Sequence, residues 1–91
     1  MFKKKLEEEK ENPSLLDVFK AGDKVKQIYY NPNGDNKIYI GKIIQIKKHC
    51  MAIQWEKING LENPEFNEKF IICHEYEIFN GDDNYSPIIK E

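Results

Sequence analysis

At Lys24 the hydrophobic pattern of this chain changes from helical spacing to strand alternation, and it stays strand-like as far as Phe79. Met51, Ile53 and Trp55 alternate with Ala52, Gln54 and Glu56, which puts the first three on one face of an extended segment and the others on the opposite face. The same grammar predicts strands over Lys24–Tyr30, Lys37–Lys48, Met51–Glu56, Lys69–His74 and Glu77–Phe79. Val25 and Ile28 fall on opposite parities of the first, so a bulge is expected near Lys26-Gln27. Gly41 stands mid-way along the long second strand, where a bend or a close backbone approach needs it. Turn chemistry separates the strands: residues 31–36, His49-Cys50, a loop over 57–67 containing Asn59-Gly60, and a short turn at Glu75-Tyr76. Five short strands, the second long and bent, predict a mainly β fold closed into a small barrel.

Ahead of this region residues 2–11 read as a short polar helix whose apolar groups are Phe2 and Leu6. Asn12-Pro13 caps a restart, and Leu15, Leu16, Val18 and Phe19 form one or two apolar turns expected to plug an end of the barrel. The organisation that follows is an N-terminal helical extension over 1–21, a barrel over 22–79 and an acidic tail over 80–91.

Ninety-one residues support one domain. A charged fraction of 33% is high, yet 40% hydrophobic residues with five Phe, five Tyr and one Trp are too apolar for a disordered chain. All fourteen basic residues are Lys, which removes the forked guanidinium used for bidentate base readout and for arginine fingers. Residues 24–57 carry seven Lys against two acids, a local +5, whereas residues 58–91 carry two Lys against eight acids, a local −6. Such a split either pairs within the fold or presents faces of opposite sign to partners. Two cysteines without a signal peptide point to a reducing, cytoplasmic setting, and no apolar run approaches the length of a membrane span.

Gly22-Asp23-Lys24-Val25, the segment from Tyr39 to Ile46 around Gly41-Lys42-Ile43, and the alternating Met51–Trp55 strand resemble the Tudor/KOW class of SH3-like barrels over about residues 22–79. The resemblance implies a five-stranded SH3-like barrel that binds rather than catalyses. Tudor domains hold methylated Lys or Arg in an aromatic cage, for which Tyr29, Tyr30, Tyr39, Trp55 and Phe70 offer walls. KOW modules bind RNA and ribosomal or polymerase surfaces, for which Lys37, Lys42, Lys47 and Lys48 offer a phosphate track.

His49-Cys50 and Cys73-His74 together have the composition of a zinc site, but each pair is adjacent in sequence and lacks the usual spacing between ligands. Neighbours on a strand point to opposite faces, so buried thiols are the expected role of both cysteines and no metal or cofactor is expected. A Cys–His nucleophile would further need a lowered thiol pKa and an oxyanion hole, and no motif supplies either. Asp82-Asp83 lies in a Gly/Asn-rich stretch that reads as a solvated turn. The expected function is a small non-enzymatic binding module, or a regulator or inhibitor, that acts on a protein partner through barrel edges, aromatics and charged faces. Nucleic-acid binding along the Lys track is the alternative, and a small zinc-stabilised module the second.

Overall fold

A computed structural model of the chain describes residues 14–66 and 69–91. The predicted helix over 2–11 lies outside the described residues, as does the Asn12-Pro13 start expected for the helical turns that follow it. The fold begins with helix α1, Leu15–Val18, capped by Ser14, whose Oγ accepts a hydrogen bond from the Leu16 N–H at 3.2 Å. Leu15 and Phe19 are four residues apart, so they share a face, and both are buried in the core. Their role as apolar filler is as expected, although no closed barrel is there to be plugged.

The body is an antiparallel sheet. Strands β1 (Lys24–Tyr29), β2 (Lys37–Ile46) and β3 (Cys50–Ile58) form a meander, extended by the two-residue β4 (Leu61–Glu62). A 3₁₀ turn over Pro64–Phe66 leads towards β5 (Ile71–His74), which pairs with the opposite end of β3, and helix α2 (Glu75–Asn80) follows directly. Strand β6 (Ile89–Lys90) returns to β1, giving six strands in the order β4-β3-β2-β1-β6 with β5 beside β3. The sheet is not closed: β5 and β6 end it on opposite sides. The five-stranded closed barrel expected from sequence is corrected to a six-stranded open sheet.

Irregularities fall between β2 and β3. Register shifts occur at Ile40/Gly41 and at Ile43/Gln45, while β1 pairs with β2 without interruption from Lys24↔Lys42 to Tyr29↔Lys37. The bulge expected at Lys26-Gln27 is therefore absent. Gly41 does mark a close approach: a Cβ there would lie 2.7 Å from both the Gln54 carbonyl oxygen and Trp55 Cε3. The bare backbone of β2 lets the indole lie across it.

Three further expectations change. Residues 57–62 are not a loop but a hairpin, with Asn59 (φ +53°) and Gly60 (φ +84°) supplying the two left-handed positions of a tight turn. Glu77–Phe79 is not a strand but part of α2, with Glu75 and Glu77 in its positive first turn and Gly81 (φ +68°) at its C-cap. The acidic tail is not free either. Tyr85 bridges Tyr29, Ser86 exchanges hydrogen bonds with Ile28 in both directions (each 2.9 Å), and Ile88 is 3% exposed.

The core collects one or more residues from nearly every element: Leu15 and Phe19, Val25, Ile43, Met51, Ile53 and Trp55, Ile78, and Ile88. Ile53 and Trp55 come from the alternation read in sequence. Ile78 and Ile88 come from the two segments whose structure the sequence misassigned.

Candidate functional site

Strand alternation fixes which side chains share the inner face. Val25 is opposite Gly41, Gly41 opposite Trp55, and Ile43 opposite Ile53, so Gln27, Tyr39, Trp55, Ile71 and Cys73 all lie on the core side of the sheet. Towards one end of that face the core gives way to an open cleft of about 400 Å³ walled by Tyr39, Trp55 and Tyr85, floored at its lip by Ile71, and rimmed by Glu77 and Asp82. Trp55 is 6% exposed and meets Tyr39 edge-on, with ring centroids 5.8 Å apart and planes at 74°. Tyr85 packs on Tyr29 at 5.1 Å. The indole thus serves as core on one side and as a wall on the other.

The rim is held by backbone contacts. Asp82 Oδ1 accepts hydrogen bonds from the N–H groups of Asn84 and Tyr85, both at 2.8 Å, which fixes the turn that carries Tyr85 into the cleft lining. Glu77 Oε1 accepts from the His74 N–H at 3.2 Å and so fixes its carboxylate at the start of α2. Two titration shifts record the electrostatics of this space. The Cys73 thiol is pushed up from 9.0 to about 11, by burial first and then by the Glu77 carboxylate. Tyr85 is also raised, by burial and then by the neighbouring Tyr39, Tyr29 and Asp82. Both groups resist becoming anions, because the cleft is apolar and already carries negative charge.

The aromatic residues singled out in sequence are therefore only partly brought together. Tyr39 and Trp55 wall the cleft and Tyr29 supports it through Tyr85, whereas Tyr30, on the opposite parity, is 43% exposed and Phe70 stands out at the β5 edge, 57% exposed. Tyr85, Glu77 and Asp82 were missed. For Tyr85 and Asp82 the available signal was the apolar Pro87-Ile88-Ile89 cluster just beyond them, read as tail because the preceding Asn80–Asn84 run looked like the end of the fold; Glu77 was read as part of a strand.

The four lysines do not make one track. Lys37 opens β2 opposite Tyr29, Lys42 lies mid-strand on the outer face opposite Lys24, and Lys47 and Lys48 sit beyond the far end of the same strand. Ten strand residues separate those ends by roughly 33 Å.

The candidate zinc residues come together as strands but not as a ligand set. Cys50 is directly opposite His74, Cys73 is opposite Met51 on the inner face, and His49 Nδ1 lies 3.0 Å from Glu75 Oε1. Among the described residues no three His, Cys, Asp or Glu side chains converge on a point that could hold a metal ion. Nor is any described helix long and apolar enough to cross a membrane. Compared with known protein families, curated proteins and solved structures, the chain matches none.

Proposed function

We propose that this domain is a non-enzymatic protein-binding module whose site is the aromatic cleft, and that the group it receives is a cationic side chain of the partner. The observation that carries this is the pairing of three aromatic walls, Tyr39, Trp55 and Tyr85, with the Glu77 and Asp82 carboxylates at one opening. Ring faces are negative and attract an ammonium, by about 2 kcal/mol once water is excluded, and a carboxylate at the rim adds an ordinary Coulomb term. A Lys or methylated Lys offers that charge on a slim apolar stem that fits between the rings. Nothing in the cleft resembles catalytic apparatus: its thiol is raised in pKa rather than lowered, which disfavours a nucleophile.

The fold is read as an opened SH3-like roll of the Tudor or KOW kind. In favour are the β1–β2–β3–β5 meander, the short helix α2 after the fourth long strand, and the return of the final segment to β1. A basic target also suits the acidic last third of the chain, which supplies the rim.

Affinity capture from lysate, with and without nuclease, tests the reading when wild type is compared with Glu77→Gln and Tyr85→Ala. The Gln variant keeps an acceptor for the His74 N–H and loses only the charge. A stoichiometric protein that survives nuclease on wild type and is depleted at least severalfold on both variants is expected. Recovery of RNA or DNA in place of protein, or retention indifferent to both substitutions, would contradict it.

A further inference from the structure

Among the described residues, strand β5 leaves one edge of the sheet unpaired, and that edge is unusually apolar. Phe70, Ile71 and Ile72 are each more than half exposed, at 57%, 54% and 55%. Sheet edges left open are ordinarily blunted by charge, proline or a bulge, because they template pairing with another strand. None of these devices interrupts 70–73, and among the described residues no strand pairs with β5 except β3.

The ladder between β3 and β5 fixes which backbone groups of the described residues face the edge. Glu75 N–H donates to the His49 carbonyl at 2.9 Å, and the β3–β5 register runs from there through Cys50↔His74, Met51↔Cys73 and Ala52↔Ile72 to Ile53↔Ile71. In an antiparallel ladder, hydrogen-bonded and non-hydrogen-bonded pairs alternate. Ile71 and Cys73 therefore turn their N–H and C=O towards β3, while Ile72, and Phe70 on the same parity, turn theirs to the open edge. His74 shares that parity, but its N–H is already held by Glu77. The usable edge is thus Phe70 and Ile72, and no longer.

We propose that this edge is filled by a second copy of the same chain, in an antiparallel β5–β5 pairing with its two-fold axis at Ile71. That register is self-complementary at every position it uses. Phe70 and Ile72 of each copy face Ile72 and Phe70 of the other, so four backbone hydrogen bonds form and each pair joins an aromatic to a β-branched side chain, a favourable cross-strand match. On the inner face Ile71 meets Ile71 of the second copy. Lys69 falls opposite Cys73 of the second copy, the residue whose thiol already feels the Glu77 carboxylate, so the charges are complementary as well. Because Ile71 lines the cleft, the pairing sets two clefts lip to lip across the axis. The dimer does not depend on what the cleft binds, so either idea can fail alone.

The contact is small beside the roughly 1,200–2,000 Å² of a stable complex, so the pairing is reversible and is read with protein on the order of 100 µM. Sedimentation or light scattering of the full chain across a dilution series is expected to show the mass approaching twice that of the monomer as concentration rises. Ile72→Lys and Phe70→Lys alter exposed side chains; each should stay monomeric at the same concentration while keeping the wild-type circular dichroism. The Ile72 amide should show hydrogen exchange that slows with concentration. A wild type that stays monomeric overturns the proposal. So does a monomer whose Ile72 amide is protected at every dilution, the signature of an intramolecular cover such as residues 1–13, and so does a dimer untouched by both lysine variants.

Discussion

Cys73 joins core and cleft in one side chain. It is half-buried beneath Glu77 and packs against the hydrophobic cluster, and its thiol is raised to about 11 by burial and then by that carboxylate. The raised value means that the native state holds the thiol proton more tightly than the unfolded chain does. The stability contributed is present in full below the unfolded value of 9.0 and is lost as pH rises through about 11. Lysines and tyrosines titrate in the same range, so the quantity to measure is the difference between wild type and Cys73→Ala. The urea midpoint of wild type relative to the variant should fall between pH 9 and 11 and be flat between pH 7 and 8.5. A difference that stays constant to pH 11 would show that the thiol is not held neutral by its surroundings. The sequence expected both cysteines to be buried; each is only partly so, although Cys73 does pack against the core. The carboxylate above it was not legible in sequence, because Glu77 reached the cleft through a helix that sequence alternation disguised as a strand.

At the scale of elements, the three-stranded meander was the most legible part. Its period-2 patterning is strong over Met51–Trp55, and the Gly41 approach followed from the one glycine in a long Ile-rich run. The hairpin at Asn59-Gly60 carried its proper turn signal but was absorbed into a supposed loop, because Ile58 and Leu61 are too few to announce strands. The largest loss was the final segment. Asn80–Asn84 has the composition of a terminal linker, yet Gly81 turns the chain back. Its φ of +68° is open to glycine, and a Cβ there would clash with the Tyr85 carbonyl oxygen and come within 2.7 Å of Ser86 C and 2.8 Å of Pro87 N. All three neighbours are backbone and cannot step aside cheaply. Gly81→Ala should therefore lower stability by about 2–4 kcal/mol, a large share of what a small domain possesses, and should release Ile88 and Tyr85 together. The urea midpoint and the amide exchange of Ile28 and Ser86 check this. An unchanged midpoint would mean that residues 82–90 are not anchored through this turn. Ser86, whose side chain accepts from the Ile28 N–H at 2.9 Å, and Gln27 Nε2, which donates to the Ser86 carbonyl at 3.0 Å, show why the segment holds although Pro87 removes a ladder donor.

Over the whole molecule, the charge split read in sequence has a spatial counterpart. Lys24, Lys26 and Lys42 sit on the outer face, where Lys24 reaches Glu56, while Glu77 and Asp82 border the inner-face cleft at one end. The separation is partial, because Glu56 shares the outer face with those lysines while Lys37 and Lys90, opposite Tyr29 and Val25, fall on the inner-face parity. The proposed cationic group would be drawn to the Glu77 and Asp82 end of the cleft. The sequence predicted aromatic walls but drew them from strands alone, so it found Tyr39 and Trp55 and missed Tyr85, Glu77 and Asp82, which complete the cleft lining. Those residues arrive from far along the chain, and no local periodicity reports such a meeting.

Because Trp55 is the sole tryptophan, its emission reads the cleft without any label. A short Lys-containing peptide and the same peptide with its Lys acetylated should be titrated against the full chain in low salt. Saturable change in Trp55 emission with the charged peptide, weakened about tenfold or more by acetylation and by Glu77→Gln, is the expected result; a tenfold change corresponds to about 1.4 kcal/mol. Emission that stays constant to millimolar peptide, or that responds equally to both forms, would contradict a cation-binding cleft.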